Sequence, residues 1–424
     1  MAISSGDTYT IDVERLANSI ELTMCEDLFM SPKRCIFKTP IALSRLNETS
    51  YIPDAFSIGP FHHGRPNLKA TEKIKAKYLQ SFISRSNFLL KDLINSINNL
   101  EKEAREYYDR PIGYSPEEFV KLLVIDGCFI IELFCKYKEY ISKRSIDEND
   151  PIFSMSSMLQ ALDHDLILLE NQVPWMILEH LYSKTMAAHI TDGTTLIQLA
   201  TKFFSNVFKF RQTTISLHVG DIKHIPDLFK KLLVSSIEED KEKVSVSGIS
   251  NLMPSATRLA EAGIKFKSSM SKNILDINFT NGVLEIPQLR IHQPTETFFR
   301  NLISFEQCYP NSNHMITSYV VLLDNLINTG KDVEILCENK ILNNWLNPDD
   351  AAEFFNKLYH GTYVDKYFYE NLSRRVNIYC QRRLPRWRVV LVRNYLNTPW
   401  AIFSTCAAVI LLILSLQTLY TMKS

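Results

Sequence analysis

Residues 394–422 contain no Asp, Glu, Lys, Arg or His, and no other feature limits the possible folds of this chain so strongly. Within that stretch, residues 401–420 would extend about 30 Å as a helix at about 1.5 Å per residue, which matches the hydrocarbon core of a bilayer. Ten of them are Ile, Leu, Val or Phe. At about −0.3 to −0.6 kcal/mol each near the helix centre, they favour insertion by roughly 3–6 kcal/mol. Ser404, Thr405, Ser415, Gln417 and Thr418 offset only part of this. Trp400 and Tyr420 stand at the two ends as interfacial anchors, and Pro399 suits the first turn of a helix. A transmembrane helix over 399–421 is expected, with a buried core helix at the chain end as the alternative.

Arg382, Arg383, Arg386, Arg388 and Arg393 precede the span and only Lys423 follows it. The positive-inside tendency then places the N-terminal part in the cytosol, with 386–398 as a basic juxtamembrane segment that can meet anionic headgroups. So short a tail favours insertion after translation. The expected protein is single-pass and tail-anchored in the plasma membrane or an endomembrane, with membrane lipid as one partner. Residues 1–20 include Asp7, Asp12 and Glu14 and lack the apolar run of a secretory signal.

The remainder is rich enough in apolar residues to fold: 46% of 424 residues are hydrophobic and only 12 are glycine, which suffices for one large core or two modest ones. Lys plus Arg equals Asp plus Glu at 47 each, so no overall field draws the chain to nucleic acid, and none is expected as a partner. The eight cysteines are scattered without a C-x-x-C pair, which argues against a zinc or thioredoxin-like motif and for a reduced compartment. Cys128 and Cys135, seven apart, share a helix face where packing explains them.

Helical punctuation is clear. Ser115-Pro116-Glu117-Glu118 predicts a capping box opening a helix to about Tyr140, apolar in nearly every direction and therefore central. Asp126 lies on the Phe119 face of that helix and calls for a hydrogen-bond partner. Met158, Leu159, Leu162, Leu166 and Leu169 continue a helical period up to Glu170-Asn171-Gln172-Val173-Pro174, after which a new helix runs through Tyr182. Leu275, Ile277 and Phe279 alternate with polar residues before Asn281-Gly282 and Val283–Ile286, which predicts a β-hairpin. A helix from Ile316 is expected to end at Gly330, and Asn347-Pro348-Asp349-Asp350 opens another that stops at His360-Gly361. The expected fold class is mainly α: a helical globular body with a small β-hairpin element and one C-terminal transmembrane helix. Its segments are a polar arm over 1–30, a body over 31–385 with a flexible loop at 235–249 and a shorter one at 143–151, the basic segment and the span.

No enzyme signature with a known mechanism occurs: no G-x-S-x-G elbow, glycine-rich phosphate loop, H-E-x-x-H pair or kinase set. The groups closest to chemistry are His62-His63 and Asp163-His164-Asp165. Asp163 and Asp165 would lie about 200° apart on a helix, so neither set is a metal cage by itself. No cofactor or metal is expected. A hydrolase would need His62 or His63 to meet a carboxylate from Asp126, Asp163 or Glu170 in the fold. Glycosylation sequons begin at Asn47, Asn278 and Asn371.

Ile58-Gly59-Pro60-Phe61-His62-His63-Gly64, Leu168-Leu169-Glu170-Asn171-Gln172-Val173-Pro174 and Ala262-Gly263-Ile264-Lys265-Phe266, in that order, resemble the plant family of domain of unknown function 247. The resemblance continues through Phe299-Arg300-Asn301-Leu302-Ile303 with Phe305-Glu306-Gln307-Cys308, through Asp332–Leu336, and into Asn397-Thr398-Pro399-Trp400-Ala401. Only Thr71–Leu79 departs from the pattern, which would place an aromatic beside the second lysine. The resemblance implies a plant protein with a helical body and one C-terminal span, and supplies no catalytic residues. Some members are implicated in self-incompatibility, so it also implies a recognition or signalling-adaptor role with an unknown protein partner. A structural membrane protein without catalysis and a membrane-bound hydrolase are the alternatives.

Overall fold

The computed structural model describes residues 11–25, 31–142, 149–185, 193–206, 219–234, 252–271, 273–310, 312–364, 366–381 and 399–421. The expected loop at 235–249, residues 143–148 and the juxtamembrane segment at 386–398 lie outside these.

The N-terminal arm contains a helix, α1 (Val13–Cys25). After the short α2 (Ile41–Ser44) come α3 (Lys69–Ser86), α4 (Leu90–Asn98) and α5 (Glu101–Arg105). They lead to α6 (Pro116–Ile141), whose start is the expected capping box. Ser115 Oγ accepts from the Glu118 N–H at 3.3 Å, and Glu118 Oε2 accepts from the Ser115 N–H at 3.0 Å. Because α6 is apolar on all sides it is buried on all sides. It packs against α3, α4, α8 (Trp175–Thr185) and α9 (Leu196–Phe203). Cys128 and Cys135 are free thiols buried in this packing.

Between α6 and α8 lies α7 (Ser156–Asp165), which ends sooner than the apolar period suggests. Leu166 and Leu169 are buried, but from an irregular segment, because the polar side chains at 165, 171 and 172 bond to backbone in place of a continuing helix.

A second helical group follows α10 (Ile225–Val234) and α11 (Ala256–Glu261). Its centre is α12 (Gln293–Cys308), which packs on α7, α10, α13 (Met315–Leu326) and α15 (Pro348–Leu358). Gly330 does not end α13. It opens α14 (Gly330–Glu338), where Thr329 and Asp332 form a capping box that satisfies the first N–H groups. Asn347 caps α15 by accepting from the Asp349 N–H at 3.1 Å, as expected from Asn347-Pro348.

The hairpin is real but short. β2 (Asn278–Thr280) and β3 (Val283–Pro287) pair antiparallel with Phe279 opposite Leu284, so Leu275 and Ile277 precede the strand. Asn281 (φ 50°) and Gly282 (φ 79°) make the turn, a left-handed pair that Asn-Gly tolerates best. The sheet also has a third strand: β1 (Lys265–Ser269) lies parallel to β3, and farther on β4 (Leu289–Ile291) pairs parallel with β5 (Leu342–Asn344). One continuous hydrophobic core runs from Cys35 to Val376 in α16 (Glu370–Cys380) and joins both helical groups.

The last helix, α17 (Pro399–Thr421), is present where the apolar run predicted one. Val409 to Leu414 are 51–67% exposed. Counted over the described residues, no helix is long and apolar enough to cross a membrane.

Candidate functional site

Two irregular segments, 52–64 and 166–174, meet over the N-terminal half of α6, and their side chains form one buried polar network. Asp165, at the last turn of α7 and fully buried, accepts from the N–H groups of Asp54 (2.7 Å), Ala55 (2.9 Å) and Phe56 (2.7 Å). Asn171 accepts from the Ile58 N–H at 2.7 Å and donates to the carbonyls of Phe56 and Asp165, both at 2.9 Å. Gln172 donates to the Leu166 and Leu168 carbonyls at 2.8 Å and accepts from the Ile225 N–H at 3.2 Å. Each amide therefore satisfies backbone groups that have no helix or sheet partner. Gly59 (φ 71°) completes the contact: an added Cβ would sit 2.1 Å from the Gln172 carbonyl oxygen.

Beneath this lies an ion pair. Lys75, on α3 and 0% exposed, places Nζ 2.6 Å from Asp126 Oδ1, 2.8 Å from the Ser57 carbonyl and 2.8 Å from Glu72. Burial disfavours the lysine's charge, but the Asp126 and Glu72 carboxylates outweigh it and raise the pKa above the ordinary lysine value. Burial also pushes the Asp126 carboxyl up, against the pull of Lys75 and of the Gly59 N–H, which donates to Oδ2 at 2.8 Å. Asp126 thus has the structural partner its position demanded.

Nearer the surface, Glu170 binds the Lys38 ammonium (2.6 Å) and the Thr39 N–H (2.8 Å), with His62 Nε2 3.3 Å away. Burial raises the Glu170 carboxyl, and His62, Lys38 and Thr39 overcome it and hold the pKa down to about 2. His62 is 1% exposed, and burial lowers its pKa, so the ring is neutral at pH 7. Its Nε2 is off the line of a good hydrogen bond to Glu170 and its Nδ1 has no partner among the described residues. His63 goes elsewhere, with its ring against Tyr114 at 5.8 Å between centroids.

The hydrolase constellation is thus only partly assembled: His62 meets Glu170, not Asp126, whose two oxygens are taken. Asp163 is pushed up to about 7 by burial and neighbours Tyr137. His164 instead joins Asp165 (Nδ1 to Oδ1, 2.9 Å) and Asp54 (3.7 Å). These three bring ligand-type atoms within 4.8 Å of one another, yet Asp165 already spends its lone pairs on three N–H groups and the imidazole. A cleft of about 330 Å³ beside them is lined by Asp54, Ser157, Gln160, Ala161, His164 and Pro294; His62 does not line it.

The other expected positions sort by element. Asn301 on α12 belongs to the network, accepting from the Leu169 N–H (2.9 Å) and donating to the Ser50 and Thr297 carbonyls (2.8 Å). Glu306 caps α13 from outside, accepting from the N–H groups of Ile316 (3.1 Å) and Thr317 (2.8 Å). Gly263 follows α11, Lys265 is exposed and Phe266 buried in β1. Pro60 and Gly64 belong to the first segment, Pro174 precedes α8, and Pro399 and Trp400 open α17. Sequence reasoning missed Lys38, Asp54 and Lys75; a lysine set among the alternating residues of α3 carries no local mark of burial.

The sequence pattern of DUF247, described as a plant protein of unknown function, matches residues 36–414. A UPF0481 protein of Arabidopsis thaliana is 30% identical over 413 residues, covering 90% of this chain and 84% of that one. A putative UPF0481 protein of the same plant is 24% identical over 481 residues, covering 90% and 89%. No solved structure matches.

Proposed function

The chain belongs to the plant protein family of unknown function DUF247, and from that premise we propose that it is a membrane-anchored recognition or signalling-adaptor protein. The observation that carries the reading is α17. Residues 407–415 advance by 100° each and cover every direction about the axis, and all are exposed. A helix apolar on every side has a stable place only in a core or in lipid, and Val409 to Leu414 have left the core. The polar groups of the body support the non-catalytic half of the reading, since Asp126, Asp165, Asn171 and Gln172 are engaged with backbone and Lys75.

The orientation proposed from the arginine bias faces the body to the cytosol, which conflicts with recognition between cells. Full-length expression in plant cells, followed by carbonate extraction, endoglycosidase digestion and protease protection on sealed vesicles, tests both points. Extraction by carbonate overturns the anchor. A protected body carrying sugar at Asn47, Asn278 or Asn371 makes a surface recognition molecule of it. An unglycosylated, digested body makes it a cytosolic adaptor.

The Asn171 and Gln172 hydrogen bonds favour a second reading, a structural membrane component. Asn171 is a buried tie under either reading, so exposed residues separate the two: a structural component has no surface substitution that removes a partner, whereas a recognition protein keeps its fold and loses its partner when a surface residue is changed.

A further inference from the structure

The last helix of the body before α17 turns an unusual face to solvent. α16 buries Leu372, Ser373 and Val376. Opposite them Arg374, Arg375, Ile378 and Gln381 are exposed within about 120° of the helix circumference. Ile378 is 50% exposed. Among the described residues neither arginine meets a carboxylate; Arg374 Nη2 contacts only Asn371 Oδ1, at 3.1 Å. Glu370, the one acid of α16, is partly buried in its first turn.

Two neighbouring elements flank the face. The Asn281–Gly282 turn packs so closely under Tyr379 that a Cβ on Gly282 would lie 2.3 Å from its Oη. The Lys265 N–H donates to the Gly282 carbonyl at 2.9 Å, but alternation along β1 puts its side chain on the outer face of the sheet with Lys267 and Glu285, which neutralise each other at 2.6 Å, while Tyr379 of α16 packs on the Phe279 face. On the other side Asn377 donates to the Leu252 carbonyl at 3.1 Å, and Leu252 is 41% exposed.

We propose that this face of α16 is a lipid-docking surface, in which Arg374 and Arg375 meet the phosphates of an anionic bilayer and Ile378 and Leu252 reach its interface. The proposal rests on the membrane-anchored reading. Uncompensated cations around an aliphatic centre suit headgroups over acyl chains. Only residues 381–398 separate α16 from α17, and five of those eighteen are arginines. The basic character of the tether therefore continues onto the folded body, and docking fixes which way the rest of the surface faces.

The test uses the full chain reconstituted in phosphatidylcholine vesicles with or without phosphatidylserine. Benzoylphenylalanine is placed at position 378 or, as a control on α4, at position 90, where Leu90 is also exposed. Docking gives lipid adducts at 378 well above those at 90, dependent on phosphatidylserine and reduced about fivefold by each of Arg374→Gln and Arg375→Gln. Retention after a carbonate wash with equal labelling at the two positions overturns the docking surface and leaves the anchor standing. Labelling at 378 that ignores phosphatidylserine, or that captures an acidic protein in plant membranes in place of lipid, also overturns it. A chain that washes off overturns both.

Discussion

Lys75 Nζ lies 2.6 Å from Asp126 Oδ1, and neither side chain is more than 1% exposed. The pair ties α3 to α6, and through the Ser57 carbonyl and Gly59 N–H it also holds the segment that carries His62. Removing Lys75 leaves the Asp126 carboxylate buried with only the Gly59 N–H. Lys75→Met is expected to cost about 3–5 kcal/mol, read as a lower urea midpoint, whereas Lys75→Met with Asp126→Leu recovers part of the loss. A double variant no more stable than the single would show that the charges do not sense each other.

Asn171→Ala strands the Ile58 N–H and the Phe56 and Asp165 carbonyls in a dry interior. The expected cost is about 2–4 kcal/mol, and it should appear in thermal unfolding and in steady-state abundance together. Unchanged melting would mean that water replaces the amide.

Gly59→Ala puts a methyl 2.1 Å from the Gln172 carbonyl at a backbone angle that L-residues resist. The variant should express poorly and expose segments 52–64 and 166–174 to hydrogen exchange, while the exchange of α13 and α14 changes least.

Glu170 contributes through a depressed pKa. Its stabilisation is present above the ordinary value of 4.5 and is lost as pH falls through about 2. Acid titration of Glu170→Gln against the parent chain should show a stability gap at pH 6 that closes across that window. A gap independent of pH would assign the loss to packing.

His164 has the opposite sign. Burial lowers its pKa, but Asp165, Asp54 and the Thr49 carbonyl outweigh it and raise the folded value above 6.5. The contribution is complete below 6.5 and fades as pH rises through the folded value. His164→Asn should remove this dependence, and the one imidazole resonance of the parent chain that this variant lacks should titrate above 6.5.

Much of the fold was legible locally. The Ser115 capping box, the Asn347 cap, the all-round apolar α6 and the Asn281–Gly282 turn rest on neighbours within one or two turns, so sequence spacing reveals them. Gly330 misled because a glycine after an apolar helix signals an end, while the Thr329 and Asp332 caps start the next helix there. β1 was missed because its partner, β3, is parallel and reached only by a crossover. The network was half legible: Glu170-Asn171-Gln172 stood out as a motif, but nothing near them in the chain names Lys38, Ser57 or Phe56 as partners.

Taken alone, the sequence determined the helical class, the positions of the main helices, the apolar helix at 399–421 and the family likeness, because each is written in short-range periodicity or contiguous motif. Tertiary structure decided that Asp126 pairs with Lys75, that Asp165 ends α7 to hold Asp54–Phe56, and that His62 turns inward to Glu170. Those outcomes depend on which groups lose water together across separations of 50 to more than 100 residues. Desolvation penalises a buried polar group that lacks a partner, and only the packed chain fixes which partner each one meets.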